Sequence, residues 1–339
     1  MREEYELEVL ERYDIEVRST RRIRGAFFCD TNEGTMLLKE TGISGRRAPL
    51  LYIVLSCLET RGNIKVDTPV FTKDGELLVS SRGGKTYMLR KWYHGRECEI
   101  RQEPEAVRAA ETLAALHRGL QDEGIMELSE SLLSGFGAAR DPVDEIRRHN
   151  RELKKIRGFI RGRVTKNEFE YLFLDSFEKM YRTAEYVLAQ MESSGCSALW
   201  RNATTGGRLM HGDYNYHNLL VSGADMAVTN FEHMKAGIQV HDLYYFMRKA
   251  MEKYSWKQKT GQKILEAYEE TRALEPAERE YIGLRLAYPE KYWKTASSYY
   301  HSNKAWLPEK NVEKLRTALR QNEEKRAFLE NIFSVAIQA

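Results

Sequence analysis

One stretch of the sequence carries residue types at a spacing that chemistry can use: Leu209-Met-His211-Gly212-Asp213-Tyr-Asn-Tyr-His217-Asn218-Leu-Leu-Val221. A short apolar run leads into a loop with an aspartate, an amide follows five residues later, and a second apolar run closes the segment. Phosphoryl transfer from a nucleotide needs a carboxylate to take the proton of the acceptor hydroxyl, and an oxygen ligand for Mg²⁺ beside it. Asp213 is the candidate base, Asn218 the candidate metal ligand, and His211 completes the candidate catalytic string. A turn in which Asp and Asn merely cap backbone groups accounts for each residue singly, but not for the whole string.

Such a loop needs a frame, and periodicity predicts one. Tyr5, Val9, Leu10 and Tyr13 fall at helical spacing, so a short amphipathic helix is expected over 5–14. A strand from Ile23 to Asp30, a turn at Thr31-Asn-Glu-Gly34 and a strand over 35–39 form an expected hairpin. A helix fits Arg47 to Arg61, with Gly62 as its stop, and further strands fit 69–72, 77–80 and 86–92. From Glu103 onward the pattern is nearly all helical (103–120, 141–160, 166–194, 259–273), interrupted by β structure only over 208–231. The expected class is therefore α+β: a small, mainly antiparallel lobe over 1–95 and a large helical lobe over 96–339.

Composition sets the bounds. With 339 residues, 42% of them hydrophobic and 30% charged, the chain suits two globular lobes. A net charge of +3 gives no reason to invoke nucleic acid. The charged opening, Met1-Arg-Glu-Glu, does not read as a signal peptide, and no apolar run reaches the roughly 18–20 residues that span a bilayer. Cys29, Cys57, Cys98 and Cys196 lie far apart with no CxxC pair, so reduced thiols and an intracellular protein are expected. Segment 147–166 carries nine Lys/Arg. With no aromatic stacking platform interleaved among the charges, it reads as a solvated helical face and not as a nucleic-acid platform.

The string HGDYNYHN resembles the HGDxxxxN catalytic loop of the aminoglycoside phosphotransferase and choline kinase families, which share a protein kinase-like two-lobed fold. These families carry a further strand ending in Asp-Phe-Asp/Glu, whose first acid binds Mg²⁺. Met226-Ala-Val-Thr229-Asn230-Phe231-Glu232 is similar in spacing but has asparagine at the metal position. The resemblance implies a phosphate clamp at Lys39 and a phosphate-covering turn at Gly25. It also implies an adenine-holding strand and hinge through Lys91, Trp92 and Tyr93, and an aspartate, Asp242, bracing the catalytic loop. ATP and Mg²⁺ are the implied cofactors. Ala114-Ala-Leu-His117 resembles the helix that follows the hinge. Val240-His-Asp-Leu-Tyr-Tyr-Phe-Met-Arg248 and the segment from Tyr288 to Trp306 are similar to CotS-type spore coat proteins. That resemblance covers roughly 23–322 and implies a protein made in the mother cell during sporulation and placed in the spore coat.

Three departures bear on activity. Asn230 is a neutral amide where a hard cation prefers carboxylate, although Glu232, two residues on, would face the same side of an extended segment. Gly25 is the only glycine of its turn, where several would let backbone amides approach phosphate. The family's helix glutamate, which should pair with Lys39, is not obvious; Glu59 stands late in that helix and reads as a solvated end residue in preference to the pairing one. The expectation is therefore a CotS-like coat protein with kinase architecture and weakened or lost activity, a pseudokinase candidate with other coat proteins as partners. The alternative is an active ATP/Mg-dependent kinase acting on a hydroxyl of a small molecule. A membrane partner is not expected.

Overall fold

The structure, a computed structural model, describes residues 2–23, 25–302 and 309–337. The chain opens with helix α1 (Arg2–Leu10), followed by strands β1 (Val17–Ile23), β2 (Ala26–Thr31) and β3 (Gly34–Glu40). Helix α2 (Arg47–Thr60) precedes the short strands β4 (Lys65–Val66) and β5 (Val79–Ser80), and then β6 (Thr86–Lys91). β1, β2, β3, β6 and β5 form one antiparallel sheet in that spatial order. β1 escapes hydrophobic alternation because Val17-Arg-Ser-Thr-Arg-Arg-Ile23 is an edge strand with almost every residue exposed. Arginines there also guard the free edge against pairing with another chain.

The rest is mostly helical. After β7 (Arg96–Glu97) come α3 (Glu103–Gly119), α4 (Glu123–Met126), α5 (Ser129–Phe136), α6 (Pro142–Arg161), α7 (Glu168–Ser193) and α8 (Cys196–Thr205). The β interruption consists of β8 (Leu209–Met210), β9 (Leu219–Ser222), β10 (Asp225–Val228) and β11 (Lys235–Ala236). Helices α9 (Val240–Lys253), α10 (Gln258–Glu269), α11 (Pro276–Ala287), α12 (Glu290–His301), α13 (Glu309–Arg320) and α14 (Asn322–Phe333) complete it. This is the expected two-lobed, kinase-like architecture.

Two cores hold it. A small one packs Val9, Leu10 and Tyr13 against Phe27, Met36, Leu38 and Leu89 on one face of the sheet. The larger runs without a break from Leu51, Val54, Leu55 and Leu58 of α2 into the helical lobe. Helix α2 is thus fixed to the large core, and the sheet face opposite α1 is left to form a cleft with the catalytic-loop segment. β10 runs antiparallel to β9 and parallel to β4, so the two lobes meet at a shared ladder just below that cleft.

Basic segment 147–166 lies on α6 and its C-terminal turn. Arg147 pairs with Asp144 and Glu192, Arg157 with Glu178, and Arg163 with Glu170. The Arg147 and Arg157 pairs lie at the surface, as on a solvated face, whereas Glu170 is fully buried. No helix among the described residues is long and apolar enough to cross a membrane.

Candidate active site

The loop after β8 is held from below by Asp242, at the first turn of α9. Its Oδ2 accepts the His211 amide at 2.7 Å and its Oδ1 the Gly212 amide at 2.9 Å. Burial opposes the Asp242 charge, but the hydrogen bond with His117 and the surrounding histidines hold its pKa below the ordinary value. Gly212 has φ +81°, and a Cβ there would sit 2.2 Å from the His233 carbonyl oxygen, so only glycine fits. The sequence placed His211 among the candidate catalytic residues; in the structure it is packed beneath the loop. It is fully buried, its Nδ1 accepts the Asp213 amide (3.2 Å), and its Nε2–H donates to the Thr229 carbonyl (3.0 Å). Burial pushes its pKa down, and both nitrogens are committed within the fold.

Asp213 sits higher in the loop, partly exposed. Its two carboxylate oxygens accept Nδ2–H of Asn215 (2.9 Å) and of Asn218 (3.0 Å), which orient the group without neutralising it. Asn218 Oδ1 in turn accepts Nδ2–H of Asn230 at 3.3 Å. Asn230 adopts a left-handed backbone (φ 68°), a conformation asparagine tolerates better than most residues, and its amide donates to Asp67 Oδ2 at 3.0 Å. Asp213 also lies in the electrostatic field of Lys249 on α9, whose Nζ stands 4.7 Å from the Tyr245 ring centroid.

Above the loop, the cleft between sheet and loop holds about 600 Å³, within the range of a small-molecule site. Phe28, Leu37 and Trp92 give it apolar walls; Lys39, Asn218 and Asn230 line its polar end. Of the nucleotide-binding residues expected from sequence, Lys39, Trp92 and Tyr93 line this cleft, and Gly25 (φ +84°) lies between its lining residues Ile23 and Ala26. Lys91 does not line it: its Nζ donates to both oxygens of Glu59 at 2.9 Å, and its amide donates to the Thr68 carbonyl. Glu59, read from sequence as a solvated residue, is the partner of Lys91.

Sequence reasoning missed a buried ionic chain. Arg90, 2% exposed, donates to Asp67 Oδ2 (3.1 Å) and to Glu232 Oε1 (2.9 Å). Lys39 Nζ lies 3.6 Å from the same Glu232 oxygen. Arg47 of α2 ties the turn from outside, donating to the Glu232 and Met234 carbonyls at 2.8 and 2.6 Å. A signal for Arg90 existed: in β6 it shares the inward face with Met88, and an inward-facing arginine must find an acid.

The cleft has room for a small molecule, with Lys39 at its polar end. A tightly held divalent cation fits less well, because the donor set is amide-rich. Asn218 and Asn230 bond to each other, and one oxygen of Glu232 is shared by two cations. Among the described residues no cluster of three His, Cys, Asp or Glu is arranged to hold a metal.

The sequence itself decides the family. Residues 153–332, just over half of the 339, match the family model of the spore coat putative kinase YutH. The chain belongs to that spore coat kinase family. No curated protein matches it. Among solved structures, an aminoglycoside phosphotransferase from Alicyclobacillus acidocaldarius superposes with a TM-score of 0.83 at 18% identity, covering 95% of this chain and 93% of that one. Spectinomycin phosphotransferase bound to ADP and spectinomycin gives 0.64 at 12% identity, over 96% and 98% of the two chains. Amicoumacin kinase bound to AMP-PNP and Ca²⁺ gives 0.59 at 12% identity, over 94% and 92%. At these identities the likeness is one of fold, and it makes this coat-kinase chain a member of the aminoglycoside phosphotransferase-like architecture.

Proposed function

We propose that this protein is a spore coat component that binds an adenine nucleotide in the cleft under Lys39 and has weak phosphotransferase activity or none. The observation that carries this reading is the amide chain from Asn230 through Asn218 to Asp213. At the position where a kinase-like site keeps a carboxylate for Mg²⁺, this chain has a neutral side chain already bonded to its neighbour. The acid two residues on, Glu232, is held by Lys39 and Arg90. The positive charge of Lys39 remains available to a phosphate, and Trp92 and Phe28, in edge contact at 5.7 Å, offer an apolar wall to a base.

Calorimetric titration with ATP tests this, once in EDTA and once in excess Mg²⁺. Binding that differs by less than about threefold between the two conditions is expected, since metal-bridged phosphates would add a kcal/mol or more. Absence of ATP binding in both would remove nucleotide from the proposal and leave a scaffold.

One observation favours the second reading, an active kinase for a small hydroxyl-bearing acceptor. Asp213 keeps its carboxylate partly exposed and oriented by two amide donors, which is what a general base needs. Formation of ADP and a phosphorylated acceptor, followed by ³¹P NMR and abolished in Asp213→Asn, would establish it. Coat placement is tested separately, by a fluorescent fusion followed through sporulation.

A further inference from the structure

A second cavity of about 370 Å³ shares no lining residue with the cleft. It is walled by Arg140, Arg148, Lys235 and His241, with the Trp200 ring, Pro142 and Met210 as its apolar part. Arg140, Arg148 and Lys235 have no carboxylate within 4.0 Å among the described residues. The acid in the wall, Glu145, is already matched: Arg285 Nη1 lies 3.2 Å from its Oε2. Three uncompensated cations therefore face one concave space, where low-dielectric walls strengthen the field they make. The neutral groups fit the same sign. His241 Nδ1 lies 2.8 Å from the Tyr281 hydroxyl, and with that hydroxyl donating, Nε2–H is left as a donor. Burial first, with Arg285 and Lys235 adding to it against Glu145 and Asp242, pushes the His241 pKa down to about 4, so the ring is neutral and adds no charge of its own to the cavity.

We propose that this cavity is a second ligand site, taking a small oxyanion, a phosphate either free or carried on a compact organic body that stacks against Trp200. Three cations around one space match a multiply charged oxyanion, and guanidinium forks suit its paired oxygens. The volume accommodates a single-ring ester. The position also gives an occupant purchase on the catalytic loop. Lys235 is the ladder partner of Met210, which precedes His211. His241 precedes Asp242, whose carboxylate holds the His211 and Gly212 amides.

The test is calorimetry on the full chain with two probes, inorganic phosphate and 4-nitrophenyl phosphate, and choline as a cationic control. Saturable binding of phosphate is expected, with none for choline. Arg140→Glu and Arg148→Glu, both at exposed positions that leave folding intact, should each weaken it at least tenfold, about 1.4 kcal/mol. Lys155→Glu, an exposed reversal on the same helix, and Lys39→Met, in the cleft, should leave it unchanged. Tighter binding of the ester identifies an organic occupant; equal binding identifies inorganic phosphate. No saturation by either probe up to about 10 mM overturns the proposal. So does an affinity that survives both arginine reversals, or that falls with Lys39→Met.

Discussion

Lys39 Nζ lies 3.6 Å from Oε1 of Glu232, so the strand lysine finds its carboxylate in the Asn230-Phe231-Glu232 turn and not on helix α2. The same oxygen accepts from Arg90 at 2.9 Å, and Arg90 passes inward to Asp67. Lys39, the turn and the sheet are thereby coupled through one buried guanidinium.

That coupling predicts a ranked loss of stability. Asp67→Asn removes the fully buried partner of Arg90 and leaves it only the partly exposed Glu232, so about 3 kcal/mol, the low end for breaking a buried pair, is expected. Glu232→Gln removes charge from a partly exposed partner and keeps a hydrogen-bonding oxygen, so about 1–2 kcal/mol is expected. Urea unfolding of both variants measures this; equal losses would contradict the ranking.

Asn230→Asp should restore metal dependence. Aspartate tolerates the left-handed backbone at φ 68° nearly as well as asparagine, so the fold should be kept. Mg²⁺ should then tighten ATP at least tenfold, or about 1.4 kcal/mol, by calorimetry. An unchanged Mg²⁺ response would mean that position 230 is not the limiting defect.

Gly212→Ala should dislodge the loop 211–218. Its Cβ would meet the His233 carbonyl at 2.2 Å in a positive-φ conformation, so backbone must shift, at a cost of roughly 2–3 kcal/mol. Thermal unfolding reports the loss, and the Asp213 amide should lose hydrogen-exchange protection along with it.

Acid should weaken the helical lobe through His149. It is 3% exposed and stacked on Trp293 at 3.4 Å, and burial pushes its pKa from 6.5 down to about 4. Between those values the unfolded chain binds the extra proton, so stability rises with pH from about 4 to 6.5 and is level above that. The full swing is on the order of 3 kcal/mol. His149→Gln should flatten that part of a Tm-against-pH curve; an unaltered slope would assign the acid sensitivity elsewhere.

Much of the frame was legible because it rests on local pattern. Leu51, Val54, Leu55 and Leu58 repeat at helical spacing and become the buried face of α2. The loop 211–218 was legible as a string, since Gly212, Asp213 and Asn218 each answer to a local geometric demand. Strand β1 was not, because an exposed edge strand carries no alternation to read. The contacts of His211 were not legible for a related reason: its partners, Thr229 and Phe231, lie across the next hairpin.

The sequence by itself determined the two-lobed class, the change from a mixed first part to a mostly helical remainder, the loop string 211–218 and the asparagine at position 230. These depend on residue type and short-range period, which the chain carries wherever it folds. Only the tertiary structure decided the pairings. Lys39 went to Glu232, Glu59 to Lys91, and Arg90 to Asp67 across a buried interface. The cations Arg140 and Arg148, just before and within α6, and Lys235, on β11, came to face one cavity. A charge on a long side chain has many partners within reach in sequence, and which one it meets depends on the packing of elements far apart along the chain.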